Sequence, residues 1–211
     1  QLAEKYLNPV MIIGDGMIGQ MMEPVEFPIE GVGPPLDPGN WALTGCKSRP
    51  KRIINSLYLD PIQCNEINLK LKAKYEKVIA SEQRWETYNL DRPYDLLVCA
   101  FGMMARICRT AIDELAQEGI NVGLFRPISV WPFPYDACHQ AIEKAKRVVC
   151  IEMNMGQMLE DIKLAARGSR EIDFYGTAGG VVLSPDECKE KILQSLEKTQ
   201  QGGKSKARGK K

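Results

Sequence analysis

The chain is short of the side chains that most catalytic and metal sites require. Among 211 residues there is one histidine, His139, and no pair of cysteines in C-x-x-C spacing. The seven cysteines, Cys46, Cys64, Cys99, Cys108, Cys138, Cys150 and Cys188, are dispersed. Zinc and iron–sulfur sites draw on thiolates clustered by loops, roughly two to four residues apart. The dispersion argues against a metal or cluster site made by this chain. Cys99 and Cys150 lie inside apolar runs and read as small core side chains. Long apolar runs are missing too. The longest, Leu96 to Phe101, is far below the roughly 20 residues a membrane-spanning helix needs. No basic segment followed by an apolar stretch opens the chain, so the expectation is a cytoplasmic protein with no membrane partner.

Charge of one sign is not in excess either: 28 basic and 27 acidic residues give a net charge of +1. The distribution is uneven. The segment Gln201 to Lys211 holds five cations and no acid, and without it 23 basic residues face 27 acidic ones. A Gly/Lys tail has no apolar area to bury and is expected to be disordered. The body has no basic stripe interleaved with aromatics, so no nucleic-acid partner is expected.

What is present begins with Leu2 to Tyr6, which has the pattern of the end of an amphipathic helix. Asn8-Pro9 breaks it, and Pro9 to Ile13 reads as a buried strand. A helix feeding straight into a strand implies an α/β layer whose other strands lie upstream, so the chain reads as starting inside a domain. Gly14-Asp15-Gly16-Met17-Ile18-Gly19 then matches the G-x-G-x-x-G dinucleotide pattern. That motif works through a full helix holding the pyrophosphate and a second strand ending in an acid. Pro24 and Pro28 interrupt any helix begun at Met17 after barely two turns, so NAD binding is not expected. Phe27 to Pro50 has loop composition, and Ile53 to Leu59 has the character of a short extended piece. Asp60-Pro61 opens a long polar helix predicted to run to about Trp85, with Ile67, Leu71, Tyr75, Val78 and Ile79 as its apolar face.

From Tyr94 the periodicity is regular. Leu96 to Phe101 is continuous apolar, as in a strand buried on both faces. A helix follows over Met103 to Gln117 with Gly119 as its terminator, then a strand over Val122 to Phe125. A helix over Tyr135 to Lys146 and a strand over Arg147 to Glu152 come next. Asn154 to Gln157 looks like a capping box opening a helix to about Ala166. Glu171 to Tyr175 is a fourth strand. Ser184-Pro185-Asp186-Glu187 starts a last helix ending near Lys198. Repeated strand–helix units with short connections imply a mostly parallel sheet covered on both faces. Ligands and partners meet such sheets at the C-terminal ends of strands, which here carry Gly102, Arg126, Glu152 to Gln157 and Gly176 to Gly180. His139 falls on the polar side of its helix, opposite Cys138, Ala141, Ile142 and Ala145, and no nucleophile–base pair stands out. Glu152, Asn154 and Gln157 are the candidate site residues, as helix caps or as an edge for an anion, an acyl-carrying cosubstrate or a neighbouring subunit.

These residues resemble a known family. Asn8 to Val25 (NPVMIIGDGMIGQMMEPV) is similar to the end of the pyrimidine-binding domain in alpha-type subunits of 2-oxoacid:ferredoxin oxidoreductases. Trp41 to Gly45 and the long helix resemble that family's interdomain connection. Tyr94 to about Leu196 resembles its transketolase-C-terminal-like domain, through Gly102, the Arg126 to Pro134 segment and Glu152-Met153-Asn154-Met155-Gly156-Gln157. The resemblance is nearest to enzymes of 2-oxoisovalerate (3-methyl-2-oxobutanoate), with 2-oxoglutarate enzymes next. It implies an α/β fold: a three-layer transketolase C-terminal-like domain over 92–198 with a mostly parallel sheet. Before it come a pyrimidine-binding-domain remnant over 1–27 and a linker loop and helix over 28–91, and after it a disordered basic tail over 199–211. It also implies oxidative decarboxylation of a 2-oxoacid to acyl-CoA and carbon dioxide. Thiamine diphosphate, magnesium and iron–sulfur clusters would then sit in beta-type and gamma- or delta-type partner subunits, with coenzyme A as cosubstrate and ferredoxin as electron acceptor. The chain alone is expected to be inactive. Two other readings stay open: a transketolase-like or pyruvate-dehydrogenase-like C-terminal domain, and a non-catalytic assembly domain.

Overall fold

The computed structural model describes residues 1–26, 39 and 41–208, the last nine of these by backbone alone, and the chain divides into two compact units, Gln1–Ser81 and Glu82–Lys211. The first unit is helical among its described residues. Helix α1 (Leu2–Tyr6) lies beside α3 (Pro61–Ser81), joined by Tyr6 Oη to Ser81 Oγ at 3.1 Å and by Lys74 Nζ donating to Asn8 Oδ1 at 3.1 Å. Asp60 starts α3 as foreseen, its Oδ1 accepting the Gln63 amide at 2.8 Å.

The expected strand over Pro9 to Ile13 is instead exposed coil, with Ile12 fully exposed. The physical reason is the absence of a described strand in this unit to pair with it, so its ladder groups have no partners. Ile53 to Leu59 is likewise coil outside any sheet. The glycine-rich motif forms α2 (Gly16–Gln20), one short helix capped by Asp15, whose Oδ1 accepts the Ile18 amide at 2.8 Å. It ends well before Pro24, and no strand follows it among the described residues of the unit. Most of the expected loop at 27–50 lies outside the described residues.

The second unit is a five-stranded sheet of order β1-β3-β2-β4-β5. Strands β2 (Leu96–Cys99), β3 (Val122–Pro127), β4 (Arg147–Glu152) and β5 (Ile172–Gly176) are parallel. Strand β1 (Trp85–Tyr88) is an antiparallel edge on β3. It was not foreseen: the long helix was expected to run to about Trp85, and Glu86 to Tyr88 were given no element. That helix stops at Ser81 because the aromatic and β-branched run Trp85-Glu86-Thr87-Tyr88 fits a pleated surface better than a helix.

Strand alternation divides the core in two. Leu97, Cys99, Phe125, Val148 and Cys150 face α5 (Tyr135–Lys144) and α6 (Gln157–Ala166). Leu96, Val98, Leu124, Val149 and Ile151 face α4 (Gly102–Gln117) and α7 (Pro185–Arg208). This is the expected α/β sheet covered on both faces. Helix α4 ends in the left-handed Gly119: its amide reaches Ala116 O at 3.1 Å and the Ile120 amide reaches Leu115 O at 2.9 Å, the paired bonds of a Schellman motif. Helix α7 opens with a reciprocal box, the Glu187 amide donating to Ser184 Oγ at 3.2 Å and the Ser184 amide to Glu187 Oε2 at 2.7 Å. It continues to Arg208, past the expected end at Lys198 and through residues expected to be disordered. Once a helix is nucleated, each further residue adds a hydrogen bond without a new nucleation cost.

Candidate functional site

The chain winds from β2 through α4 to β3 on one side, then crosses by α5 to β4 and by α6 to β5 on the other. The direction of winding therefore reverses between β2 and β4. Helices α4 and α6 leave for opposite faces there, the arrangement at which ligands bind in open α/β sheets. Glu152, Asn154 and Gln157 all belong to the β4–α6 connection at this reversal.

Glu152 is the last residue of β4 and 1% exposed, the one buried carboxylate among the described residues. Its carboxylate reaches under the start of α6, where Oε2 accepts the Met158 amide at 3.0 Å and Oε1 the Leu159 amide at 3.1 Å. The Cys150 thiol approaches Oε1 at 3.6 Å. Burial first, and the adjacent carboxylate second, push that thiol far up, so it stays protonated and donates. A buried anion is tolerated here because the positive end of α6 and two amide donors compensate it. Asn154 Oδ1 accepts the amides of Gly156 and Gln157, each at 2.9 Å.

The expected capping box is thereby corrected. The N-cap position is Gly156 at φ 110°, Gln157 is the first helical residue with its side chain exposed, and Asn154 acts two residues earlier. A box needs a side chain at the N-cap, and a residue at positive φ favours glycine. The amides of residues 156 to 159 are all occupied by Asn154 and Glu152. They are therefore not the free donors that would draw an anion to this helix end.

Two residues of the strand-end loop noted in the sequence, Gly176 and Thr177, belong to the site although they were not among its candidate residues. Gly176, at the end of β5, passes so close to the turn that an added Cβ would lie 2.4 Å from the Asn154 carbonyl oxygen. Thr177 donates its amide to Glu152 O at 3.1 Å, and its Oγ1 is buried with no partner among the described residues. The visible signal was the Gly176-Thr177 step at a strand end. By contrast, α4 begins at Phe101 with no side-chain cap.

His139 is not on a solvated face. Its Nδ1 lies 2.9 Å from Ala165 O, so it links α5 to α6 away from the strand ends. Helices α5 and α6 pack against each other, which brings that flank under cover. Five cysteines, Cys99, Cys108, Cys138, Cys150 and Cys188, are buried in the two core clusters, while Cys46 is exposed. Among the described residues no three histidine, cysteine or acidic side chains are grouped to hold a metal, so the side chains described do not fit an iron–sulfur cluster. No described helix is long and apolar enough to cross a membrane.

Comparison with known proteins agrees with this architecture. Residues 95–188 match the family described as pyruvate:ferredoxin oxidoreductase core domain II. The chain is 37% identical over 194 residues to ketoisovalerate oxidoreductase subunit VorB of Methanothermobacter thermautotrophicus, covering 92% of this chain and 54% of that protein. It is 25% identical over 217 residues to 2-oxoglutarate synthase subunit KorA of the same organism, covering 92% of this chain and 58% of that one. Among solved structures, 2-oxoglutarate:ferredoxin oxidoreductase from Magnetococcus marinus matches with a TM-score of 0.57 at 20% identity. That match covers 66% of this chain and 24% of that one and supports the fold. The chain spans about half the length of the curated relatives it matches. Residues 95–188 are thus similar to core domain II of pyruvate:ferredoxin oxidoreductases, and most of the chain is similar to subunits of 2-oxoacid oxidoreductases.

Proposed function

We propose that the chain acts within a cytoplasmic, multisubunit 2-oxoacid:ferredoxin oxidoreductase that converts 2-oxoisovalerate to acyl-CoA and carbon dioxide. The observation that carries this reading is the 37% identity to the ketoisovalerate subunit across 92% of the chain, against 25% for the 2-oxoglutarate subunit. Thiamine diphosphate would supply the carbanion chemistry of decarboxylation when bound in the complex. The side chains described here offer no general acid–base pair at the switch point. The chain's part in this proposal is assembly and the architecture of the cosubstrate side. Its partners would be the thiamine-diphosphate-binding and iron–sulfur subunits, and ferredoxin.

An exposed apolar strip supports an assembly role. Trp85, Ile128, Val130 and Trp131 are each 44% to 57% exposed. They are gathered at one sheet edge, where the Ile128 and Ser129 amides bond Arg84 O and Trp85 pairs with Pro127. Apolar groups gathered on a surface mark interaction sites more often than scattered ones do. In this reading Gln157 is the exposed residue of the β4–α6 edge, turned to coenzyme A or to a neighbouring subunit, while Glu152 and Asn154 shape the turn beneath it.

The test is co-expression with the partner subunits, followed by coenzyme A-dependent reduction of ferredoxin with 2-oxoisovalerate, 2-oxoglutarate and pyruvate in parallel. Highest kcat/KM with 2-oxoisovalerate is expected. Preference for 2-oxoglutarate would replace the substrate assignment, and an assembled complex inactive with every oxoacid would reject the oxidoreductase role.

A further inference from the structure

A cleft of about 360 Å³ opens on the α4 face of the sheet, lined by Glu86, Tyr88, Arg106, Arg109, Leu124 and Arg126 among others. Three guanidinium groups line it against a single carboxylate. The pleat explains the convergence. Glu86 pairs with Arg126 and Tyr88 with Leu124 across β1 and β3, so all four project to one face. Arg106 and Arg109 stand one turn apart on α4, which packs over β3.

Arg126 and Arg109 have defined contacts. Arg126 Nη1 donates to Glu86 Oε2 at 2.8 Å, while its Nε is buried without a hydrogen-bond partner among the described residues. The Arg109 guanidinium stacks on the Tyr88 ring at 4.2 Å, and the Tyr88 hydroxyl is tied down by donating to Asp113. The chain therefore orders a cationic plane, an aromatic ring and a third guanidinium around a concavity. Its volume lies in the range of small-ligand sites, roughly 300–1,000 Å³.

We propose that this cleft binds a phosphate-bearing small molecule, its phosphate oxygens bridging Arg106, Arg109 and Arg126. Arginine suits this because its planar fork matches tetrahedral oxyanions bidentately and is weakly hydrated. The Leu124 and Ala105 side of the cleft takes the non-ionic remainder of the ligand. The site lies on the outer β1–β3 side of the sheet, away from the β2–β4 reversal. It stands on its own geometry, independent of which oxoacid the complex uses.

The experiment is isothermal titration calorimetry on the full 211-residue chain with pyrophosphate, ADP and adenosine. Saturable one-to-one binding of pyrophosphate and ADP, and none of adenosine, is expected. ADP tighter than pyrophosphate supports a phosphorylated organic ligand with a seated remainder, and equal affinities support recognition of the oxyanion alone. Arg106→Gln and Arg109→Gln, both at exposed positions, should each weaken binding about tenfold or more, since each removes charge-assisted hydrogen bonds. Melting temperature should fall by no more than a few degrees, the loss of an exposed stacking or polar contact. Affinity should fall as ionic strength rises. No binding of either phosphate compound, equal binding by the Arg106→Gln/Arg109→Gln double variant, or comparable binding of adenosine would each overturn the proposal.

Discussion

Replacing Glu152 by alanine should be the most damaging single change at the switch point. The carboxylate is 1% exposed and accepts two amide hydrogens of α6 at 3.0 and 3.1 Å. Its removal leaves the Met158 amide in a buried setting with no replacement acceptor, and the Leu159 amide only partly reachable by water. A buried donor left unsatisfied costs about 1–3 kcal/mol. Loss of the favourable anion at the helix start adds about 0.3–2 kcal/mol. The expected loss is therefore about 1–5 kcal/mol. Glu152→Gln keeps one acceptor oxygen but sets an amide NH2 against the other donor, so about half that loss is expected. Asn154→Ala removes an acceptor at a half-exposed position and should cost about 0.5–2 kcal/mol. Urea unfolding of the full chain followed by far-ultraviolet circular dichroism gives all three values. If Glu152→Ala costs no more than Asn154→Ala, the carboxylate is not what holds the start of α6.

Further outcomes follow from the same packing. Gly176→Ala should destabilise by about 1–3 kcal/mol, because its Cβ would strike the Asn154 carbonyl oxygen, whereas Gly14→Ala, with open space around it, should change stability by less than about 0.5 kcal/mol; paired urea melts compare them. Gln157→Ala should leave unfolding unchanged within about 0.5 kcal/mol while weakening subunit assembly or raising the KM for coenzyme A in the reconstituted complex; normal values of both would remove Gln157 from that edge. Burial raises the Asp173 carboxyl, but hydrogen bonds from Arg147 and Lys198 outweigh it and hold its pKa below the usual range. Its stabilisation is thus fully present above the unfolded value of about 3.9 and is lost as pH falls through the lower folded value, so Asp173→Asn should flatten stability against pH below about 4, as read by urea midpoints. Under native alkylation with mass-spectrometric mapping, Cys46 should label first and the five core cysteines only after denaturation; early labelling of Cys150 would contradict its burial beside Glu152.

The sequence by itself determined the α/β sheet from Leu96 onward, because there each element's pattern agrees with its packing. Continuous apolar runs mark strands buried on both faces, and stripes at helical spacing mark the covering helices. Glu152 was also legible as a strand-end residue, since a charge closing an apolar run must meet a partner. Tertiary structure decided the rest. Apolar content at Pro9 to Ile13 suggests a strand, yet a strand exists only where a neighbour completes its ladder, and none is described in that unit. Trp85 to Tyr88 is too short for local periodicity to declare itself and becomes β1 only by pairing with β3. The N-cap of α6 shifted from Asn154 to Gly156 because Glu152, reaching back from the preceding strand, satisfies amides that a local reading gives to a capping box. Arg126 is 17 residues along the chain from Arg109 and 40 from Glu86. Their meeting in one cleft follows from strand register and from α4 packing on β3, long-range pairings that local sequence pattern does not encode.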